Sequence, residues 1–507
     1  MTDNKDEAKE KKEEDKPADN GTQENIRESK SVTLDELGKQ FKSEVEFLKE
    51  LSKFGNVTIN IGNLFSGKTR IKGNVAGGNQ VKQAKRTPKG SKKARTKKTA
   101  NNATDWLDEN ESLEDRILLL SVAVFSGASV QIITDAQKAL QKLIAENDPE
   151  KKFKPTLFES SINKRLKSIG ASIKDGEEDT QYGRIRAKVI ELDNPSLSSA
   201  IIKHYWDESK FDDFHEILIR WLRDAAENAP FQMRVRAAIA VGDLLRHDFR
   251  SVELAILNNW ATSSNPATRA SAAIAISIPA LDEEWAPHVL KLLHYWSTVN
   301  NWRFCWTATA TYGGPIGLKF TSESLKNLKQ IAKTGDMRLV GVLTQSVSNL
   351  LDEEETIKEN KNLYEEIFDA LLDWTETTKE VQGTIGLFVF LNLARNSRIK
   401  AVPEGDDWYT LLWLLQKKDK HPSKQILSLW RRALNYKQSR KDALEILNEW
   451  VKSVEKDARL YEPLEWLVSE ISSIGESRES ERIRYYLQKM EGQPETSTTA
   501  ERLLRVI

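Results

Sequence analysis

RVRAAIAVGDLL (residues 234–245) returns in altered form as TRASAAIAI around Arg269, WRFCWTATA around Arg303 and MRLVGVL around Arg338. The four arginines Arg236, Arg269, Arg303 and Arg338 stand 33, 34 and 35 residues apart. A second phrase keeps time with the first. ILIRW closes at Trp221, ILNNW at Trp260, LLHYW at Trp296, LLDW at Trp374 and ILNEW at Trp450, with separations of 39, 36, 78 and 76. A period of this length built from helical pattern predicts helix pairs stacked side by side, with small residues letting neighbouring helices approach closely. Each tryptophan closes an apolar helix at one phase of the repeat, so the five indoles are expected in the core, sealing the seam to the next pair. A buried Trp hides roughly 150–250 Å² of surface, an upper estimate of about 4–6 kcal/mol. The arginines are expected to neutralise carboxylates or carbonyls of the next repeat.

Working outward toward the N-terminus, residues 105–193 read as three helices and two short strands. LEDRILLLSVAVFSG is the first helix, TDAQKALQKLIAE a second starting near Thr134 and Asp135, and TLFESSINKRLKSIG a third. SIKD and RIRAKVIELD then supply strands around a turn in DGEEDTQYG, the order of a winged helix-turn-helix. In that reading Lys164, Arg165 and Lys167 on the third helix and Arg184, Arg186 and Lys188 on the second strand are the candidate nucleic-acid contacts. Against them stands the acidic EED of the turn.

The first hundred residues have another character. Residues 1–31 form a charged tail with almost no apolar side chain, a composition that predicts disorder. Within 32–54, Thr33 and Glu36 make a capping box, and Leu34, Leu37, Phe41, Val45, Leu48 and Leu51 give an amphipathic helix one apolar stripe. That stripe predicts docking or self-association through 33–80. Residues 55–81 alternate Val57, Ile59 and Ile61 with polar partners, a small Gly/Asn-rich β element. Inside it, INIGNLFSGKTRIKGN (59–74) matches GxxxxGK[ST] at Gly62, Gly67, Lys68 and Thr69. A phosphate loop works by opening a helix whose backbone N–H groups hold the phosphates. Here strand and turn follow Thr69, so the match is read as a glycine turn, with a residual nucleotide switch kept as an alternative. Residues 82–104 are a basic flexible linker without interleaved aromatics. Beyond the repeats of 194–490, residues 491–507 read as a C-terminal tail.

Chemistry-bearing patterns are sparse. The 76 basic side chains balance the 76 acidic ones, so no global field favours nucleic acid or membrane. One cysteine, Cys305, lies in an apolar stretch and is expected as a buried structural thiol. The six histidines show no ligand spacing, and no GxSxG elbow occurs. No cofactor, metal or catalytic group is nominated. The apolar runs from Ile117 and Ile385 fall short of the ~20 residues of a membrane span, so a cytoplasmic protein is expected.

Taken together, the winged-helix order, NPSLSSAIIKHYWDE (194–208), RVRAAIAVGDLL and TATYGGPIGL (309–318) resemble the C-terminal part of bacterial STAND-type, NACHT-like NTPases. The resemblance covers roughly 105–350. It implies a winged helix followed by HEAT-like or TPR-like sensor repeats; the GNV phrases also look like the short β element that precedes the NTPase in some of these chains. The NTPase domain itself has no counterpart, since the basic linker occupies its place. The expected fold is therefore mainly α, a HEAT/TPR-like α-solenoid behind a winged helix. The expected function is a non-enzymatic scaffold or sensor for a protein partner, with a DNA-binding regulator as the alternative.

Overall fold

The computed structural model describes residues 112–150, 153, 162–180, 183–210, 213–352, 363–376, 380–399, 407–417, 420–473 and 478–507. The charged tail, the amphipathic helix, the β element with Gly62, Gly67, Lys68 and Thr69, and the basic linker all lie outside these residues.

The described chain is mainly helical. It opens with α1 (Leu113–Phe125), β1 (Ala128–Ser129), α2 (Val130–Asn147), α3 (Ile162–Ser168), β2 (Ala171–Thr180) and β3 (Gly183–Leu192). The three strands form one antiparallel sheet in the order β1-β3-β2, with Ala128 opposite Ile190 and Glu177 opposite Arg186. Two expectations are corrected here. Helix α2 starts at Val130, capped by Ser129, and Thr134 instead spends its hydroxyl on the Val130 carbonyl at 2.7 Å. The acidic EED also belongs to strand β2 rather than to a turn, because its residues pair in register with the basic strand β3.

Then come α4 (Leu197–Ser209), α5 (Phe214–Asn228) and α6 (Phe231–His247). Helix α7 runs through Phe249–Val252, a π-helical turn Glu253–Leu257 and a last turn Asn258–Ala261. After it follow α8 (Pro266–Ala280), α9 (Ala286–Thr298), α10 (Trp302–Tyr312), α11 (Pro315–Lys319), α12 (Thr321–Ala332), a 3₁₀ turn Met337–Leu339, and α13 (Val340–Asp352). The remaining elements are α14 (Leu363–Thr375), α15 (Glu380–Asn396), β4 (Arg398–Ile399), β5 (Trp408–Tyr409), α16 (Thr410–Gln416), α17 (Lys420–Asn435), α18 (Arg440–Lys456), a 3₁₀ turn Ala458–Leu460, α19 (Tyr461–Ser472), α20 (Arg478–Glu491) and α21 (Ser497–Leu504).

Helices two or three places apart in sequence pack on one another in rows. Helix α6 packs on α8, α8 on α10, α10 on α13, α13 on α15, α15 on α18 and α18 on α21. Beside this row, α9 packs on α12, α12 on α14, α14 on α17 and α17 on α20. A glycine of the repeated phrase explains the close approach of α6 to α8. A Cβ on Gly242 of α6 would sit 2.5 Å from Ile278 and 2.7 Å from the Ala275 carbonyl of α8, so only glycine admits that approach. Helices α1 and α2 join the same core by packing on α4, α6 and α5.

The period changes along the chain. From α14 onward, helices come in threes: α14, α17 and α20 begin 57 and 58 residues apart, and α16 packs on α19 as a third row. Trp221, Trp260, Trp296 and Trp374 are buried in the row that carries α9, α12 and α14 or in the helices leading to it, whereas Trp450 is buried in α18 of the other row. The counterpart of Trp374 in α17 is Trp430, which stacks on Trp450 with centroids 4.8 Å apart. The spacing of 76 between Trp374 and Trp450 is thus not a doubled short period. The C-terminal segment differs too: α21 buries Ala500 and Leu503 against the helices before it, so the segment expected as a tail is packed.

Candidate functional site

The basic residues of α3 and β3 do not form one exposed patch. Arg165 reaches back to the first turn of α1, where its Nε donates to Asp115 at 3.1 Å and its Nη2 to the Glu114 carbonyl. Lys188 pairs with Asp175 at 2.6 Å across the hairpin, and Lys174 with Glu191 at 2.7 Å. Lys164, Lys167, Arg186 and Lys188 are exposed, with Arg186 opposite Glu177 and Lys188 beside the exposed Asp175. Arg184 stands opposite Asp179 in register; its side chain is not among those described. Alternating charges across a two-stranded ribbon stabilise the hairpin but cancel the field a phosphate backbone requires.

The arginines of the repeated phrase have separate fates. Arg236 donates to the Ser126 carbonyl, and burial pushes its guanidinium down to about 10. Arg269 is fully buried and donates to the Ser263 and Ser264 carbonyls at 2.9 and 3.1 Å. Arg338 forks onto Asp336, two residues away. Arg269 and Arg338 point back over the turns that feed their helices, whereas Arg236 reaches the end of α1; none of these acceptors lies in the next repeat.

Three of the four repeated arginines, Arg269, Arg303 and Arg338, converge on an indole that the sequence pattern did not single out. Trp302, half-buried at the start of α10, has Arg269 and Arg303 at 5.0 Å and Arg338 at 4.6 Å from its ring centroid. Arg269 also lies 4.6 Å from Trp306. Position 302, directly before the repeated arginine, was the available signal: an aromatic there stacks on guanidiniums from three successive units.

A cleft of about 620 Å³ opens between α1, α2, α4 and α5. Leu113, Ile117, Leu120, Ile144 and Ile217 line it, with Arg116, His204 and Glu208 among its polar groups. Tyr205 donates to the Arg116 carbonyl at 3.0 Å, and burial pushes its phenol up. Ser209 approaches His215 Nδ1 at 3.1 Å, but its hydroxyl also donates to the Trp206 carbonyl, so it is not held as a nucleophile. Among the described residues, no cluster of three or more His, Cys, Asp or Glu side chains has the arrangement to hold a metal ion. Cys305 is buried, its Sγ 3.4 Å from the Trp296 carbonyl, and burial pushes the thiol up to about 11. Among the described residues, no helix is long and apolar enough to cross a membrane.

No protein-family model matches the chain, and no curated protein matches it significantly.

Proposed function

We propose that this chain is a cytoplasmic, non-enzymatic interaction scaffold or sensor that presents an α-solenoid to a protein partner. The solenoid is HEAT-like through α13 and built of three-helix units beyond it. The single observation that carries the reading is the unbroken row of helix contacts from α6 to α21, which lays many helices side by side around one core. Such rows offer a long surface and need no reactive centre to bind. The connectivity α1-β1-α2-α3-β2-β3 with sheet order β1-β3-β2 supports a winged helix at the N-terminal side, acting as a packing module because α1 and α2 are built into the same core. The likeness to STAND-type sensor arms supports a role in bacterial signalling or defence. Groove reading of DNA is disfavoured by the Arg165–Asp115 and Lys188–Asp175 pairs.

Affinity capture with the tagged full chain at physiological salt, after nuclease treatment, tests the proposal. A protein that co-purifies at a fixed ratio, with or without ATP and magnesium, is the expected result. Recovery of nucleic acid alone, or capture that depends on ATP, would overturn it.

A further inference from the structure

The first turns of α8 and α10 and the 3₁₀ turn before α13 form one edge, since Arg269, Arg303 and Arg338 all reach Trp302. The three cations are not equally satisfied. Arg269 is buried on two carbonyls, and Arg338 is forked onto Asp336 with about half its side chain in solvent (52%). Arg303 differs. Its guanidinium meets the face of Trp302, and no hydrogen bond or ion pair ties it to an acceptor among the described residues. A guanidinium without an acceptor keeps donors free for a carboxylate or phosphate in fork geometry. The surroundings also favour an anion. Asn265 and Asn301 cap the first turns of α8 and α10, so the positive ends of two helices face the same edge.

We propose that this edge, centred on Trp302 and Arg303 with Arg338 beside them, is the docking site for an acidic peptide segment of the partner protein. The inference rests on the protein-partner reading and names the chemistry of that partner. Carboxylates would pair with Arg303 and with the exposed side of Arg338, while the peptide backbone packs along the exposed rim of the half-buried indole whose faces the arginines cover. A nucleic-acid strand fits less well. Its affinity grows with the number of phosphates neutralised, and this edge offers two accessible arginines, one of them already countered by Asp336. A short peptide needs only a few charge-assisted bonds and one aromatic platform.

The test is fluorescence polarisation on the full chain with a labelled decapeptide of alternating Glu and Ser, beside the Gln-Ser version and a ten-nucleotide oligothymidine. The Glu peptide is expected to bind, more weakly as salt is raised, and to lose about tenfold in affinity in Arg303→Gln at unchanged melting temperature. Trp302→Leu should weaken it by a smaller factor. Equal affinity of Arg303→Gln and wild type, equal binding of the Gln-Ser peptide, or tighter Arg303-dependent binding of the oligonucleotide would each overturn the assignment. Capture of a protein partner by Arg303→Gln as well as by wild type would remove this inference and leave the scaffold reading intact. Peptide binding by a chain that captures no protein would do the reverse.

Discussion

Trp450→Ala is the sharpest probe of how the rows are joined. The indole is fully buried, stacks on Trp430 of α17 and lies 5.8 Å from Tyr409 of β5. Its N–H donates to the Ala394 carbonyl at 3.1 Å. Ala394 sits in the last turn of α15, where carbonyls lack intrahelical partners, so one side chain caps one helix while filling the space between two others. Truncating a buried Trp costs about 3–5 kcal/mol, and leaving the carbonyl unpaired adds about 1–3 kcal/mol. The assay is hydrogen exchange of the full chain read by mass spectrometry, because a long helical array does not unfold in one step. Amides of α15, α17 and α18 should exchange at least about a hundredfold faster, since each 1.4 kcal/mol is a factor of ten, while α1 to α5 keep their protection. As a control, Tyr485→Ala, 70% exposed, should change protection little. Less than tenfold acceleration around Trp450, or acceleration spread evenly over the chain, would refute the reasoning.

Other consequences follow from single contacts. A double-mutant cycle on Arg165→Ala and Asp115→Ala should give a coupling of roughly 1–2 kcal/mol in denaturant unfolding, since the pair is largely buried; additivity would show that α3 is not tied to α1. Burial alone would raise the Asp248 carboxyl, yet hydrogen bonds from Lys210, Ser251 and Trp206 hold it down at about 2. Its folded value lies below the unfolded one, so its stabilisation is full above about pH 4 and is lost as pH falls toward 2. Melting curves over that range should show the loss, and Asp248→Asn should flatten it. Cys305 should resist thiol reagents at pH 8 in the folded chain and react once unfolded, because burial pushes the thiol up to about 11; rapid labelling of the native chain would contradict its enclosure.

The helical character was legible because apolar residues recur every three or four positions, and the repeated RAAIAV and Trp phrases mark helices that pack on neighbours. What stayed hidden was whatever depends on partners distant in sequence. Strand β1 is two residues long and has no periodicity to detect; it exists because Ala128 and Ser129 meet β3. EED looks like a turn until register places it across from the basic strand. Arg165 resembles a phosphate contact until Asp115, fifty residues earlier, folds onto it. The Trp450 spacing imitated a doubled period because the repeats lengthen to three helices at α14, a change that the tryptophans alone do not report. The edge around Trp302 was half visible: the arginines announced themselves, but which indole they share is set by the packing of α8 on α10.

The helices pack row upon row with indoles turned inward at their joints. Acrylamide quenching of intrinsic fluorescence in the native full chain tests this most directly, since Trp206, Trp221, Trp260, Trp296, Trp306, Trp430 and Trp450 are all among its fully buried side chains. Blue-shifted emission, quenched several-fold less than in denaturant, is the predicted result. Native emission and quenching equal to those of the unfolded chain, with helical circular dichroism retained, would contradict it.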